Sequence, residues 1–274
     1  MNIVNTQINI GASIPFRLLH IGDTHLTLAD RRENERKLKL AAERSRHFNN
    51  AELYLSEAER YARENNLVIV HTGDLIDFVS EANLDRARKF TVENDVFFAA
   101  GNHEFSLYVG EAFEDAEYRN QSLAHVQKSF KNDIRFAARK INGINLVAID
   151  NSYYRFEKPQ LEALLAEIAL GLPIILFFHV PLFEPALYKI SMERNECAYL
   201  TSTPEELMNS YSEYRYRQQK ADDITLETTE LIKTEPLIKA IFTGHLHYDY
   251  EGMLTDTLRQ YVTGIGTGRV IEIS

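Results

Sequence analysis

The sequence holds one cysteine, no tryptophan, and no apolar stretch approaching the roughly 18 residues that a membrane-spanning helix needs. A lone cysteine, Cys197, cannot close an internal disulfide, so nothing calls for an oxidising compartment. With no base placed beside it, Cys197 reads as an unreactive thiol in a polar loop and not as a nucleophile. Residues 1–16 lack the basic start and apolar core of a secretory leader, so a cytoplasmic protein is expected. Basic charge is also in short supply. The 30 lysines and arginines face 40 acids, a net charge of −10, which repels nucleic-acid backbones and anionic membranes unless a local patch overrides it. Repeats, low-complexity tracts and flexible linkers are missing too, so no domain boundary is marked. What is present, 45 % hydrophobic and 26 % charged residues, suits one large folded core over residues 1–274.

Short, nearly unbroken apolar runs occupy residues 16–21, 67–71, 96–100, 144–149 and 174–178, the pattern of strands covered on both faces. Between them lie helical patterns over 31–66, broken near Asn49-Asn50, and over 81–90, 114–131 and 159–170, where Pro159 suits a first turn. Alternating strands and helices predict an α/β fold with parallel or mixed sheets. After Pro236 the pattern turns to short β segments at 240–243, 248–254, 258–263 and 270–273, which read as closing hairpins. Two mixed sheets packed face to face, each with helices outside, accommodate both halves. Residues 184–235 have little apolar period, and Tyr188, Tyr199, Tyr211, Tyr214 and Tyr216 sit there among polar residues. This stretch reads as an insertion whose tyrosines lie on the body of the domain, with a substrate-facing lid as the alternative.

The chemistry gathers where apolar runs end. Asp23 and His25 follow the first; Asp74 and Asp77 follow the second within Gly73-Asp74-Leu75-Ile76-Asp77; Asn102, His103 and Glu104 follow the third in Gly101-Asn102-His103-Glu104. His179 follows Phe177-Phe178, and Gly244-His245-Leu246-His247 follows the run near 240. Carboxyl ends of strands converge on one crevice in α/β sheets, so these segments can meet. Imidazoles and carboxylates with one carboxamide, and no thiolate, suit Mn²⁺, Fe²⁺ or Zn²⁺ and argue against a structural zinc site. Other candidates read as scaffold. His20 and His71 are expected to be hydrogen-bonded inside, Glu104 to support its turn, and Arg31 to Arg46 to form a solvated helix face. Gly264-Ile265-Gly266-Thr267-Gly268 imitates a phosphate cradle, but a strand follows it and not a helix.

This order of motifs, Asp-x-His, Gly-Asp-x-x-Asp, Gly-Asn-His-Glu, a strand-end His and Gly-His-x-His, resembles the calcineurin-like metallophosphoesterase family. The resemblance spans Asp23 to His247 and implies a four-layer α/β/β/α sandwich holding two divalent metal ions (Mn, Fe or Zn). It further implies that Asp23, His25 and His247 hold one ion, that Asn102, His179 and His245 hold the other, and that Asp74 bridges them. A hydroxide shared by two such ions would attack phosphorus in line, with no Ser or Cys nucleophile. His103 is the candidate acid for the leaving oxygen, and Asp77 matches the family acid that pairs with it. Two departures narrow the subgroup. Phe78 stands where the protein serine/threonine phosphatases carry a phosphate-clamping Arg, and Asp77 stands where the purple acid phosphatases carry a metal-binding Tyr. The expected activity is therefore hydrolysis of a phosphodiester, possibly a cyclic nucleotide, ahead of a broad phosphomonoesterase. A nuclease like the family's DNA-repair members ranks lower, given the acidic charge and short C-terminus. A non-catalytic protein-binding scaffold ranks last, because no expected ligand is missing.

Overall fold

Strand formation follows the apolar runs, and alternation within each run decides which layer each side chain enters. In the computed structural model, which describes residues 1–274, the first strands are β1 (Asn2–Ile8), β2 (Phe16–Ile21), β3 (Val68–His71) and β4 (Val96–Phe98). Then come β5 (Phe136–Ile141), β6 (Ile144–Ile149), β7 (Ile174–Phe177), β8 (Ile238–Thr243), β9 (Tyr250–Met253), β10 (Arg259–Val262) and β11 (Thr267–Ile273). One sheet is ordered β1-β11-β2-β3-β4 and the other β5-β6-β7-β8-β10-β9. Both are mixed: β2, β3 and β4 run parallel, as do β6, β7 and β8, while β11 is antiparallel to β2 and β5 to β6.

Leu18, Val70 and Phe97 of the first sheet meet Leu146, Ile175, Phe177 and Phe242 of the second in the layer between them. Their sequence neighbours face outward. Leu19, Ile69 and Phe98 pack under α2 (Ala51–Asn65), α3 (Glu81–Glu93) and α4 (Ala116–Val126), and α1 (Glu35–His47) precedes them in the chain. On the other side Val147, Leu176 and Ile241 pack under α5 (Lys158–Ile168) and α8 (Asp223–Thr234). Burying both faces of each strand explains the unbroken apolar runs, and the result is the four-layer α/β/β/α sandwich. None of the helices is long and apolar enough to cross a membrane.

The helix break near Asn49-Asn50 falls after Phe48, the C-cap of α1. Differences from the sequence reading have physical causes. β1 and β5 escape it because both are half-exposed edge strands whose burial alternates, leaving no continuous apolar run. Only β9 and β10 form a closing hairpin; β11 crosses to the first sheet and inserts between β1 and β2. Within 184–235, α8 is an outer-layer helix under which Ile232 joins the second-sheet core. The remainder carries α6 (Pro185–Arg194) and α7 (Glu213–Gln219) around a small core of Leu187, Cys197, Leu200, Met208 and Tyr211. That core also takes Leu246 and Val262 from the domain body, so this stretch is packed down on it. Cys197 is fully buried there, not in a polar loop, and burial raises its thiol pKa.

Candidate metal centre

Every chemistry-bearing segment leaves the carboxyl end of a strand: β2 for Asp23 and His25, β3 for Asp74 and Asp77, β4 for Asn102 and His103, β7 for His179, β8 for His245 and His247. At these ends the backbone folds sharply, and Asp23, His25, Asp74, His245 and His247 all have positive φ, between 51° and 71°. Such conformations cost on the order of 1–3 kcal/mol each for residues with a Cβ and persist only where the surroundings over-determine them. Here they do. Asp23 N–H donates to the Gly73 carbonyl at 3.0 Å, His25 N–H to the Asp74 carbonyl at 2.8 Å, and His245 N–H to the Asp23 carboxylate at 2.9 Å. Glu104 accepts from the backbone N–H groups of Asp74, Leu75, Ile76 and Gly101 at 2.7–3.2 Å, tying two loops together. The loops touch so closely that a Cβ on Gly101 would lie 2.3 Å from Asp74 Oδ1, and one on Gly73 2.3 Å from Gly101 N.

Three groups of possible ligand atoms result, and two of them share Asp74: Asp23, His25, Asp74 and His247, and Asp74, His179 and His245; the third, His25, Asp77 and His103, lies beside them. Asp74 Oδ2 lies 3.2 Å from His179 Nε2 and 3.6 Å from His25 Nε2, while Oδ1 accepts from the His103 backbone N–H at 2.9 Å. The tautomers of two imidazoles follow from their outer partners. His179 Nδ1 donates to the Thr72 carbonyl at 2.7 Å, and His25 Nδ1 to Asp77 Oδ1 at 3.0 Å. Each therefore turns its Nε2 inward, where it meets another imidazole nitrogen at 3.0 Å, of His245 and His247 respectively. Ring nitrogens about 3 Å apart match neighbouring ligands of one ion at metal–nitrogen distances of about 2.0–2.1 Å. Asn102 lines the same cavity, and its Oδ1 is buried without a hydrogen-bond partner. An orphaned buried acceptor costs roughly 1–3 kcal/mol. The residues thus fit a pair of cations.

The chain's own charges point the same way. Burial and the charge of Asp74 raise the Asp23 pKa to about 7, and burial together with Asp74 raises Glu104 to about 8. Burial would lower the His179 pKa, but Asp74 and Asp23 outweigh it and raise it to about 10. The acids call for positive charge between them. Next to this centre, His103 Nδ1 donates to the Asp77 carbonyl at 2.7 Å, and its Nε2 has no partner within the chain. Burial disfavours its charged form, yet the Asp74 and Asp77 carboxylates prevail and raise its pKa above the ordinary histidine value.

Asp77 and His103 lie at ion-pair distance, with a further bond through the backbone. The Asp77 carboxylate is 3.4 Å from His103 Nδ1, and the shorter bond is to the backbone carbonyl. Its short side-chain contacts go to His25 and to Arg44, whose Nε and Nη2 donate to it at 2.6 and 2.8 Å. Arg44 belongs to the charged run read as a solvated face, and no local signal separates it from its neighbours. Phe48, at the helix break, stacks on His25 with centroids 4.1 Å apart. Tyr154 Oη lies 2.9 Å from His245 Nε2. His20 sits between Thr72 and Thr263, and His71 bonds Thr24; both lie inside, away from the ligand groups.

A cavity of about 490 Å³ opens over the centre. Its floor includes Asp74, Asn102, His103 and the loop of His245 and His247; Val109 and Gly110 line another part, and Tyr199, Tyr214, Arg215 and Gln218 of the insertion complete it. Residues of the 184–235 stretch thus reach the cavity.

Known proteins share the fold and the motifs. Among solved structures the chain is similar to a dimetal phosphatase from Danio rerio, with a TM-score of 0.53 and 14 % identity, over 91 % of this chain and 87 % of that one. It is also similar to a 5'-nucleotidase from Candida albicans (TM-score 0.43, 14 % identity, 90 % of this chain and 45 % of that one). A third is the phosphopantetheinyl hydrolase PptH from Mycobacterium tuberculosis (TM-score 0.43, 13 % identity, 90 % and 89 %). At such identities the first likeness shows the fold alone. No curated protein sequence matches the chain. The model of the calcineurin-like phosphoesterases, however, matches residues 16–249, a span that includes all five strand-end motifs. The chain belongs to the calcineurin-like phosphoesterase family and is a hydrolase of phosphoric ester bonds.

Proposed function

We propose that the chain hydrolyses a small phosphoester at a centre of two divalent cations. The observation that carries this is the pair of converging ligand groups with Asp74 in both. Asp23, His25 and His247 would hold one cation, Asn102, His179 and His245 the other, and Asp74 both, with Mn, Fe or Zn suited to these donors. Two bound cations supply charge neutralisation at the phosphoryl oxygens and a water acidified towards neutral pH. The chain's residues do the rest. Asp77 accepts a hydrogen bond from His25 Nδ1–H and so keeps the ring's Nε2 bare, and Arg44 keeps Asp77 ionised, its carboxyl well below the usual range. His103, anchored through Nδ1 on the Asp77 carbonyl, presents Nε2 to the cavity and gives the leaving oxygen its proton. A cavity of about 490 Å³ is of small-molecule size, and the net charge of −10 works against a polynucleotide.

Two ester classes have support. Phe78, fully buried beside Asp77, supplies no cation there, which favours a singly charged phosphodiester such as a cyclic nucleotide. Arg215 in the cavity wall favours a doubly charged monoester. The test of the common reading is chelation followed by reconstitution with Mn²⁺, assayed on an aryl phosphate monoester, its diester, cyclic nucleotides and single-stranded DNA. Turnover should vanish and return on at least one small ester; hydrolysis of single-stranded DNA alone would overturn the small-ester assignment.

A further inference from the structure

We infer that Arg215 selects the substrate: it takes up the second negative charge of a phosphomonoester, which a diester lacks, and so favours monoesters over diesters, an assignment that rests on the phosphoester reading above. Arg215 is the single arginine or lysine among the residues lining the cavity, and it faces a space it shares with Asp74, Asn102 and His103. A phosphomonoester carries up to one more charge than a diester at neutral pH, its second pKa being about 6. Apart from any bound metals, Arg215 alone can meet that charge with a permanent cation.

The guanidinium is held in place before any ligand arrives. It lies 5.0 Å from the Tyr199 ring centroid and 5.4 Å from that of Tyr214. Nε donates to Glu196 and Nη1 to Gln218, each at 3.0 Å, while Nη2 makes no hydrogen bond within the chain. Gln218 in turn donates to Glu114 at 2.7 Å, and Glu114 accepts from Asn102 at 3.3 Å. A three-bond chain therefore connects Arg215 to a proposed cation ligand, fixing the distance between the cap's charge and the centre. Glu196, the one acid paired with Arg215, has a side chain 63 % exposed, so water screens it and it does not cancel the cation. Ser212 caps α7 by accepting the Arg215 backbone N–H, which sets where the side chain starts. A preset donor of this kind loses little freedom when it binds an anion.

The test compares kcat/KM for an aryl phosphate monoester and the corresponding diaryl ester, using the full chain loaded with Mn²⁺, in the wild type, Arg215→Gln and Arg215→Lys. Arg215→Gln should lower the monoester value by about 10–100-fold, the scale of one charged hydrogen bond, while the diester value changes by less than about 3-fold. Arg215→Lys should recover part of the loss, and inhibition by inorganic phosphate should weaken in parallel in Arg215→Gln. Diester turnover reports that each variant is folded and loaded. An unchanged monoester-to-diester ratio, or an equal fall in both with phosphate inhibition intact, overturns the assignment to Arg215 alone. A loaded wild type that hydrolyses neither ester overturns the parent reading, and this one with it.

Discussion

The strand-end loops and residues 184–235 face one another across a single cavity, and they are built differently. Left-handed backbones occur in both, at Tyr199 and Ser202 as well as in the loops, but in the loops glycines admit contacts that no Cβ could share and most polar groups are buried. In residues 184–235, Arg215 lies against the rings of Tyr199 and Tyr214, and ion pairs reach solvent. The first arrangement has no room to vary without losing the centre. The second can exchange one wall residue for another while its small core holds. On the proposed reading, chemistry is lodged in the sandwich and selection in residues 184–235, a division that recurs where a rigid scaffold presents functional loops.

The strand-end loops tolerate least at Asp74. Asp74→Asn should abolish turnover by about 10³-fold or more, because it removes the charge common to both ligand groups, with bound metal lost alongside in elemental analysis. Next comes His103→Ala. It should cut turnover by about 10²–10⁴-fold while leaving metal content nearly intact, and loss of metal instead would make His103 a ligand and not an acid. Arg44→Met and Asp77→Asn should each cost about 10–100-fold, the usual effect of losing the partner that orients a metal-binding imidazole. Wild-type rates in both would remove this pair from the site. Smallest of all, Cys197→Ala in the insertion core should destabilise by roughly 1 kcal/mol in a melt and change turnover less than about 2-fold, separating the cap's packing from the centre's chemistry.

Legibility in the sequence follows the same division. Interior strands declare themselves because burial of both faces requires unbroken apolar runs, and the residues after them could be collected from spacing alone. Asp23, Asp74, His179 and His245 do lie together as that collection implies. Edge strands β1 and β5 stay silent, since half their residues face solvent. The return of β11 to the first sheet is a matter of tertiary packing that no short pattern encodes. Arg44 and Arg215 were invisible for a related reason: each sits in a polar, charged stretch where many arginines look alike, and only the fold decides which one turns inward. Arg32 and Arg36, in the same charged run as Arg44, spend their charge on the exposed acids Asp85 and Glu111.

The central claim is a two-cation centre in which Asp74 is common to both ions. Calorimetric titration of the chelated chain with Mn²⁺, followed by a turnover assay on the same sample, tests it most directly. Two equivalents should bind, with ester hydrolysis returning as they do, and His179→Ala should bind one. A wild type that binds a single equivalent, or one that keeps full turnover with no metal bound, would contradict the account.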